Sequence, residues 1–145
     1  MAEEKYWEEG MKTHENLILP CFSGLSNTGI TSALASLEAV KELGLEKVAV
    51  GNLAGLPLKM PPSVGKTKAA RKIISVNGCP FECARKTAEQ AGFKVTKSIV
   101  LTRDIGMKKK GLHEDIGGDL KGVMEYISQD EVDRAKDLIV KALLE

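Results

Sequence analysis

Four short apolar runs punctuate the chain: Leu17-Ile18-Leu19, Val48-Ala49-Val50, Ile73-Ile74-Ser75-Val76 and Ile99-Val100-Leu101. Each is continuous rather than alternating, the pattern of strands covered on both faces in a parallel sheet. Between them the apolar spacing changes to three and four. Ile30, Ala33, Leu34, Leu37 and Val40 predict a helix, with Asn27 and Thr28 as cap candidates and Gly44 at its end. A second helix is predicted from Pro80 towards Gln90, stopping at Gly92. A third opens at Ser128, three residues ahead of Glu131, the spacing of a capping box. Its apolar face is Val132, Ala135, Leu138, Ile139 and Leu143. Residues 55–66, with Pro57, Pro61 and Pro62, read as a loop or lid leading into a short helix. Residues 106–122 form a second irregular stretch, rich in glycine and lysine.

This alternation predicts an α/β fold: one three-layer domain over residues 1–145, with a mostly parallel, Rossmann- or flavodoxin-like sheet and right-handed crossovers. Strand order does not follow from it. The first sixteen residues are polar apart from Tyr6, Trp7 and Met11, an extension whose structure the pattern does not give.

Composition narrows the function. At 145 residues the chain has the length of one domain, and 43% hydrophobic with 28% charged residues is a globular balance. Twenty-one Lys and Arg against twenty Asp and Glu leave a formal charge of +1, which argues against a broad nucleic-acid surface. No apolar run approaches the roughly 20 residues of a membrane span. The acidic N-terminus carries no signal-peptide core, so a cytoplasmic protein is expected.

The chemistry-bearing residues cluster at strand ends. Cys21 follows the first strand in Leu19-Pro20-Cys21-Phe22-Ser23-Gly24, and Cys79 follows the third in Val76-Asn77-Gly78-Cys79-Pro80. Gly51-Asn52-Leu53-Ala54-Gly55 is the equivalent place after the second. Carboxyl ends of parallel strands share one edge, where ligands bind, so these segments are expected to converge. With Pro80 at the first helical position, Cys79 would stand near the N-cap and Cys83 one turn later on the same face. A helix N-terminus in general favours thiolate, the form that binds metal. The plainer reading is that Cys83 packs against the sheet while Cys79 caps a turn.

Residues 77–84, Asn-Gly-Cys-Pro-Phe-Glu-Cys-Ala, preceded by Cys-Phe-Ser-Gly-Leu-Ser-Asn-Thr-Gly at 21–29, resemble the DGC-domain family of prokaryotic proteins. Asn52-Leu53-Ala54-Gly55 and Gly106-Met107-Lys108-Lys109 look like that family's segments after the second strand and further downstream. The resemblance implies a cysteine cluster proposed to bind zinc, with no established reaction. It also marks two departures: Asn77 stands where the motif has aspartate, and Asn52 where the family has a cysteine. The first swap is expected to cost little at a turn that either residue could serve. The second leaves three cysteines where the pattern offers four.

Zinc is therefore the expected cofactor and metal ion the expected partner, with Cys21, Cys79 and Cys83 as ligands. A structural zinc takes four ligands. The fourth candidates are water, His113, Asp104 and, as a poorer match to a soft site, Asn52. The plainer reading of His113-Glu114-Asp115 is a solvated loop, and His14 is a weaker candidate still. Iron–sulfur ligation falls one cysteine short of the usual four.

The competing reading is a metal-free redox or anion-binding thiol. Backbone N–H groups around Ser23, Gly24, Ser26 and Asn27 would cradle an oxyanion, as in thiol phosphatases and arsenate reductases. Those enzymes carry an arginine at the loop's end, where this chain has Asn27, so phosphatase activity is not expected. Cys-x-x-x-Cys is likewise not the thioredoxin spacing. Val64-Gly65-Lys66-Thr67 fails as a P-loop, because Met60 stands where the first glycine is required. No carboxylate pair or Ser/His/Asp set supports acid–base catalysis, so no reaction is assigned. A third reading is a scaffold that has lost its metal and serves a protein partner.

Overall fold

The computed structural model describes residues 12–145. Tyr6, Trp7 and Met11 of the N-terminal extension lie outside the described residues. Four strands, β1 (Asn16–Pro20), β2 (Val48–Val50), β3 (Lys72–Asn77) and β4 (Lys97–Val100), form one all-parallel sheet in the order β2-β1-β3-β4. The fourth strand lies earlier than its apolar run. Lys97 and Ser98 pair with β3, whereas Leu101 already begins a short helix.

Among the described residues, five helices flank the sheet: α1 (Asn27–Leu43), α2 (Pro61–Ala69), α3 (Cys83–Gln90), α4 (Leu101–Asp104) and α5 (Gln129–Leu144). Period-two alternation in the strands sends Ile18, Ile74 and Val76 to one face, where they pack with Ala35 and Ala39 of α1 and Val132, Ala135 and Ile139 of α5. Leu19 and Ile73 point the other way and meet Leu56 and Ala88. The result is three layers, as the strand–helix alternation predicts.

Local chemistry sets the helix ends. Ser26, not Asn27 or Thr28, caps α1: its hydroxyl accepts the Gly29 N–H at 3.1 Å. Gly44 closes that helix. Ser128 caps α5 as expected, accepting from the Glu131 N–H at 3.4 Å. The start of α3 departs from expectation. Residues 79–82 make a turn closed by the Glu82 N–H on the Cys79 carbonyl, and the helix begins only at Cys83. Asn77 is the reason, because its Oδ1 accepts the N–H groups of Ala84 and Arg85 and so caps the helix from the strand end. Cys79 therefore precedes the helix, and the one-face pairing with Cys83 does not form.

Candidate thiol site at the sheet edge

Strand order decides where the site lies. From β1 the chain moves outward to β2, while from β3 it moves outward to β4 on the other side. The sheet thus reverses direction between the adjacent strands β1 and β3, the position where open α/β sheets leave a crevice. Cys21 follows β1 and Cys79 follows β3, so the two loops are neighbours.

They are joined directly. The Cys21 N–H donates to the Val76 carbonyl at 2.9 Å, carrying the ladder one step past the strand end. The Gly78 N–H returns a bond of 3.2 Å to Cys21 Sγ, and the Ser32 hydroxyl lies 3.5 Å from the same sulfur. Glycine makes this approach possible. A Cβ on Gly78 would stand 2.9 Å from the Thr28 backbone, and one on Gly29 would collide with the Ser23 carbonyl and lie 2.7 Å from its nitrogen. Cys21 and Cys79 are half-buried, Cys83 is exposed, and all three are free thiols.

A lysine-bearing strap crosses this edge. Met107 is buried and its N–H donates to the Leu101 carbonyl. Asn27 then grips the next turn of chain: its Nδ2 donates to the Lys108 carbonyl at 2.9 Å and its Oδ1 accepts the Lys110 N–H at 2.7 Å. The Asn27 N–H donates to the Lys110 carbonyl, and Leu112 N–H to Leu25. Between the gripped residues, Lys109 extends its ammonium to 3.7 Å from Cys79 Sγ, 5.7 Å from the centre of the Phe81 ring. The pattern of the sequence gives these lysines only as part of an irregular stretch over residues 106–122. The Gly-x-Lys-Lys resemblance is the only signal that pointed to it.

The same grip bears on the oxyanion cradle. Leu25 N–H bonds Ser23 Oγ, Asn27 N–H bonds Lys110, Thr28 N–H bonds Asn27 Oδ1 and Gly29 N–H bonds Ser26 Oγ. These four donors are engaged within the protein. Ser23 and Gly24 are exposed at the loop tip.

Of the fourth-ligand candidates, Asn52, Asp104 and His14 are engaged elsewhere. Asn52 donates to Ser63 Oγ at 3.1 Å, beside a cavity of about 330 Å³ that His14 and Lys66 also line. His14 Nδ1 bonds the Leu45 carbonyl. Asp104 folds back onto the Val100 N–H at 2.8 Å, and the Arg103 guanidinium beside it holds its carboxyl below the usual range. His113 lies in a single turn over residues 112–115, its ring against Gly111. Among the described residues, no three His, Cys, Asp or Glu side chains gather as a ready-made metal cage.

The departure at Asn77 has a different meaning from the one its position in a turn suggests. Its Nδ2 donates to the Ile99 carbonyl and to Ser98 Oγ, both at 3.0 Å, and the residue is buried. A carboxylate could keep the cap on α3 but not the donation to a carbonyl. Glu82 joins this network, accepting from Ser98 Oγ at 2.8 Å and pairing with Arg85 at 3.0 Å. Arg85, then Ser98, hold its carboxyl below the ordinary value.

As donors, thiolate sulfurs suit a soft cation such as zinc better than a hard one. The backbone N–H on Cys21 Sγ is an outer contact of the kind that orients metal-bound ligands. No helix among the described residues is long and apolar enough to cross a membrane. No curated protein and no solved structure matches the chain. The family model of the DGC domain matches residues 17–134, a span that contains all three cysteines, the Asn77 cap and the lysine strap: the chain belongs to the DGC-domain family.

Proposed function

We propose that this protein binds zinc through the thiolates of its sheet-edge site, with Cys21, Cys79 and Cys83 as the donor set. The observation that carries this reading is the Gly78 N–H on Cys21 Sγ at 3.2 Å, which brings the two cysteine loops together at the point where the sheet reverses. Zinc would supply charge and fixed geometry there, not redox chemistry. Within the protein, Cys21 anchors the loop before Cys79, and the Lys109 ammonium, 3.7 Å from Cys79 Sγ, would offset the charge of a metal-bound thiolate there. Free thiols of this kind suit a reducing cytoplasm, where we place the protein.

The test is to purify the full chain under reducing conditions without a chelating tag, then measure bound zinc and thiol reactivity together. Zinc should co-purify, and the thiols should resist a disulfide reagent until a chelator is added. Cys79→Ser should lose the zinc while its circular dichroism stays unchanged. Zinc retained by that variant, or a wild-type chain without affinity for zinc, would overturn the proposal.

Lys109 favours a second reading, a metal-free redox or anion-binding thiol. An ammonium 3.7 Å from a sulfur is what an anionic thiol site would use. That reading requires Cys79 to alkylate faster than Cys83 in the metal-free chain, and to slow markedly in Lys109→Met. Equal rates in the two proteins would exclude it.

A further inference from the structure

We infer that the cavity between β2 and α2 is a second binding site, independent of metal, for a small hydroxycarboxylate. None of the three cysteines lines it.

Two segments that the thiol site leaves unused build this cavity. The turn after β2 supplies Gly51 and Asn52, and α2 supplies Pro62, Ser63, Lys66 and Thr67. Residues one and four apart in this way share a helix face. Leu17 and Ala49, buried and in register on adjacent strands, add apolar surface, and His14 completes the polar lining. The volume of about 330 Å³ suits a small metabolite.

Hydrogen bonding within the wall shows which atoms remain for a ligand. Asn52 Nδ2 donates to Ser63 Oγ at 3.1 Å, so the Ser63 hydroxyl still has its own proton to give. A Cβ at Gly55 would collide with Ser63 Oγ and lie 2.9 Å from Asn52 Nδ2, so glycine keeps that pair together. The Thr67 hydroxyl is spent on the Ser63 carbonyl at 2.7 Å. Lys66 has no hydrogen bond or ion pair among the described residues. A cation and a hydroxyl donor on one helix face recognise a carboxylate. One lysine balances a single negative charge, which favours a carboxylate over a doubly charged phosphate.

The remaining polar atoms are acceptors. His14 Nδ1 donates to the Leu45 carbonyl, which leaves Nε2 of the neutral ring as an acceptor. Asn52 Oδ1 is a second one. A ligand that covers both must bring a donor, because a buried unpaired acceptor is costly. No Asp or Glu lines the cavity to pair an ammonium, so that donor is a hydroxyl. Glu46 lines the neighbouring cavity that shares His14 and Lys66, not this one. Asn52 thereby has a use at the position where the family resemblance places a cysteine. A thiol is a weak donor and a weak acceptor and would serve neither Ser63 nor the ligand well.

The experiment titrates the isotope-labelled full-length chain with lactate in the presence of a chelator and follows backbone amides by NMR. The amides of Asn52, Ser63 and Lys66 should shift and saturate, while those of Gly78 and Cys79 stay in place. Lys66 is exposed, so Lys66→Met leaves the fold intact and should weaken lactate binding by about tenfold or more, the loss of one charge-assisted hydrogen bond. Asn52→Asp, which sets a negative charge against the ligand's own, should abolish saturation. Propionate, lacking the hydroxyl, and lactamide, lacking the charge, should each bind more weakly than lactate. Either one binding as tightly as lactate overturns the inference, as does tighter binding of alanine or inorganic phosphate. Shifts without saturation, or unchanged affinity in Lys66→Met, overturn it too. Zinc binding by the thiols stands or falls separately from all of these outcomes.

Discussion

The side-chain oxygen of Asn27 accepts the backbone N–H of Lys110 at 2.7 Å, across 83 residues of sequence. With the Asn27 amide on the Lys108 carbonyl, this places the intervening Lys109 beside Cys79. Asn27 is the position at which the thiol-phosphatase reading of this loop requires an arginine. In this chain it brings in a cation by holding the strap that bears one.

Asn27→Ala should therefore loosen the strap while leaving the sheet intact. Three side-chain hydrogen bonds are lost, two to the strap and one to the Thr28 N–H, each worth about 0.5–1.5 kcal/mol net. Thermal unfolding should show a loss of roughly 1.5–4.5 kcal/mol. Hydrogen exchange should quicken at the Lys110 amide while amides in β1 and β3 keep their protection.

Asn77→Asp restores the residue found in the family motif, yet should destabilise this protein. The introduced carboxylate cannot donate to the Ile99 carbonyl that Asn77 now serves at 3.0 Å. The expected cost is about 1–3 kcal/mol at neutral pH. Burial raises the folded-state pKa of the new carboxyl above its unfolded value, so the penalty is complete above the folded value and fades as pH falls below it. Denaturant unfolding at pH 7 and pH 4 checks this. Equal deficits at both would exclude the lost donor as the cause.

Gly29→Ala and Gly24→Ala should separate sharply. A Cβ at Gly29 would lie 2.7 Å from the Ser23 nitrogen, whereas at Gly24 no atom stands within 4 Å. The first variant must move the Cys21 loop, at about 1–3 kcal/mol or more. The second should stay within about 0.5 kcal/mol of the parent. Paired melting curves decide the matter, and zinc affinity should fall only in the first.

The far end of the strap gives a pH dependence. Asp115 accepts from Tyr126 Oη at 2.7 Å and pairs with Lys110 at 3.1 Å. Tyr126 first and Lys110 second hold its carboxyl below the ordinary value of 3.8. Because the folded-state value is the lower one, this stabilisation is present above pH 3.8 and is lost as pH falls through the folded value. Metal-free wild type and Asp115→Asn should converge in melting temperature on acidification. A gap that stays constant from pH 6 to pH 3 would remove Asp115 from the acid response.

Much of the fold was legible because strands buried on both faces must be continuously apolar and helices must repeat at three and four. Leu17 to Leu19, the capped helix after Ser128, and the placement of Cys21 and Cys79 past strand ends all follow from that periodicity. Resemblance to the DGC domain came from the residues around those cysteines. What failed was local: Ser26 displaced Asn27 as the cap of α1, and Cys83 displaced Pro80 as the start of α3. In each case an asparagine side chain had a task outside its own element. Asn27 is engaged with the strap, and Asn77 caps a helix it does not belong to.

The sequence by itself determined the element types, the three thiols and the edge on which they lie, because periodicity and chain direction are local properties. Tertiary structure alone decided that β1 and β3 are neighbours, that Gly78 therefore reaches Cys21, and that Lys109 meets Cys79. Strand order and strap docking bring together residues 30 to 83 positions apart. Such contacts depend on which surfaces pack together, and no short window of sequence contains both partners.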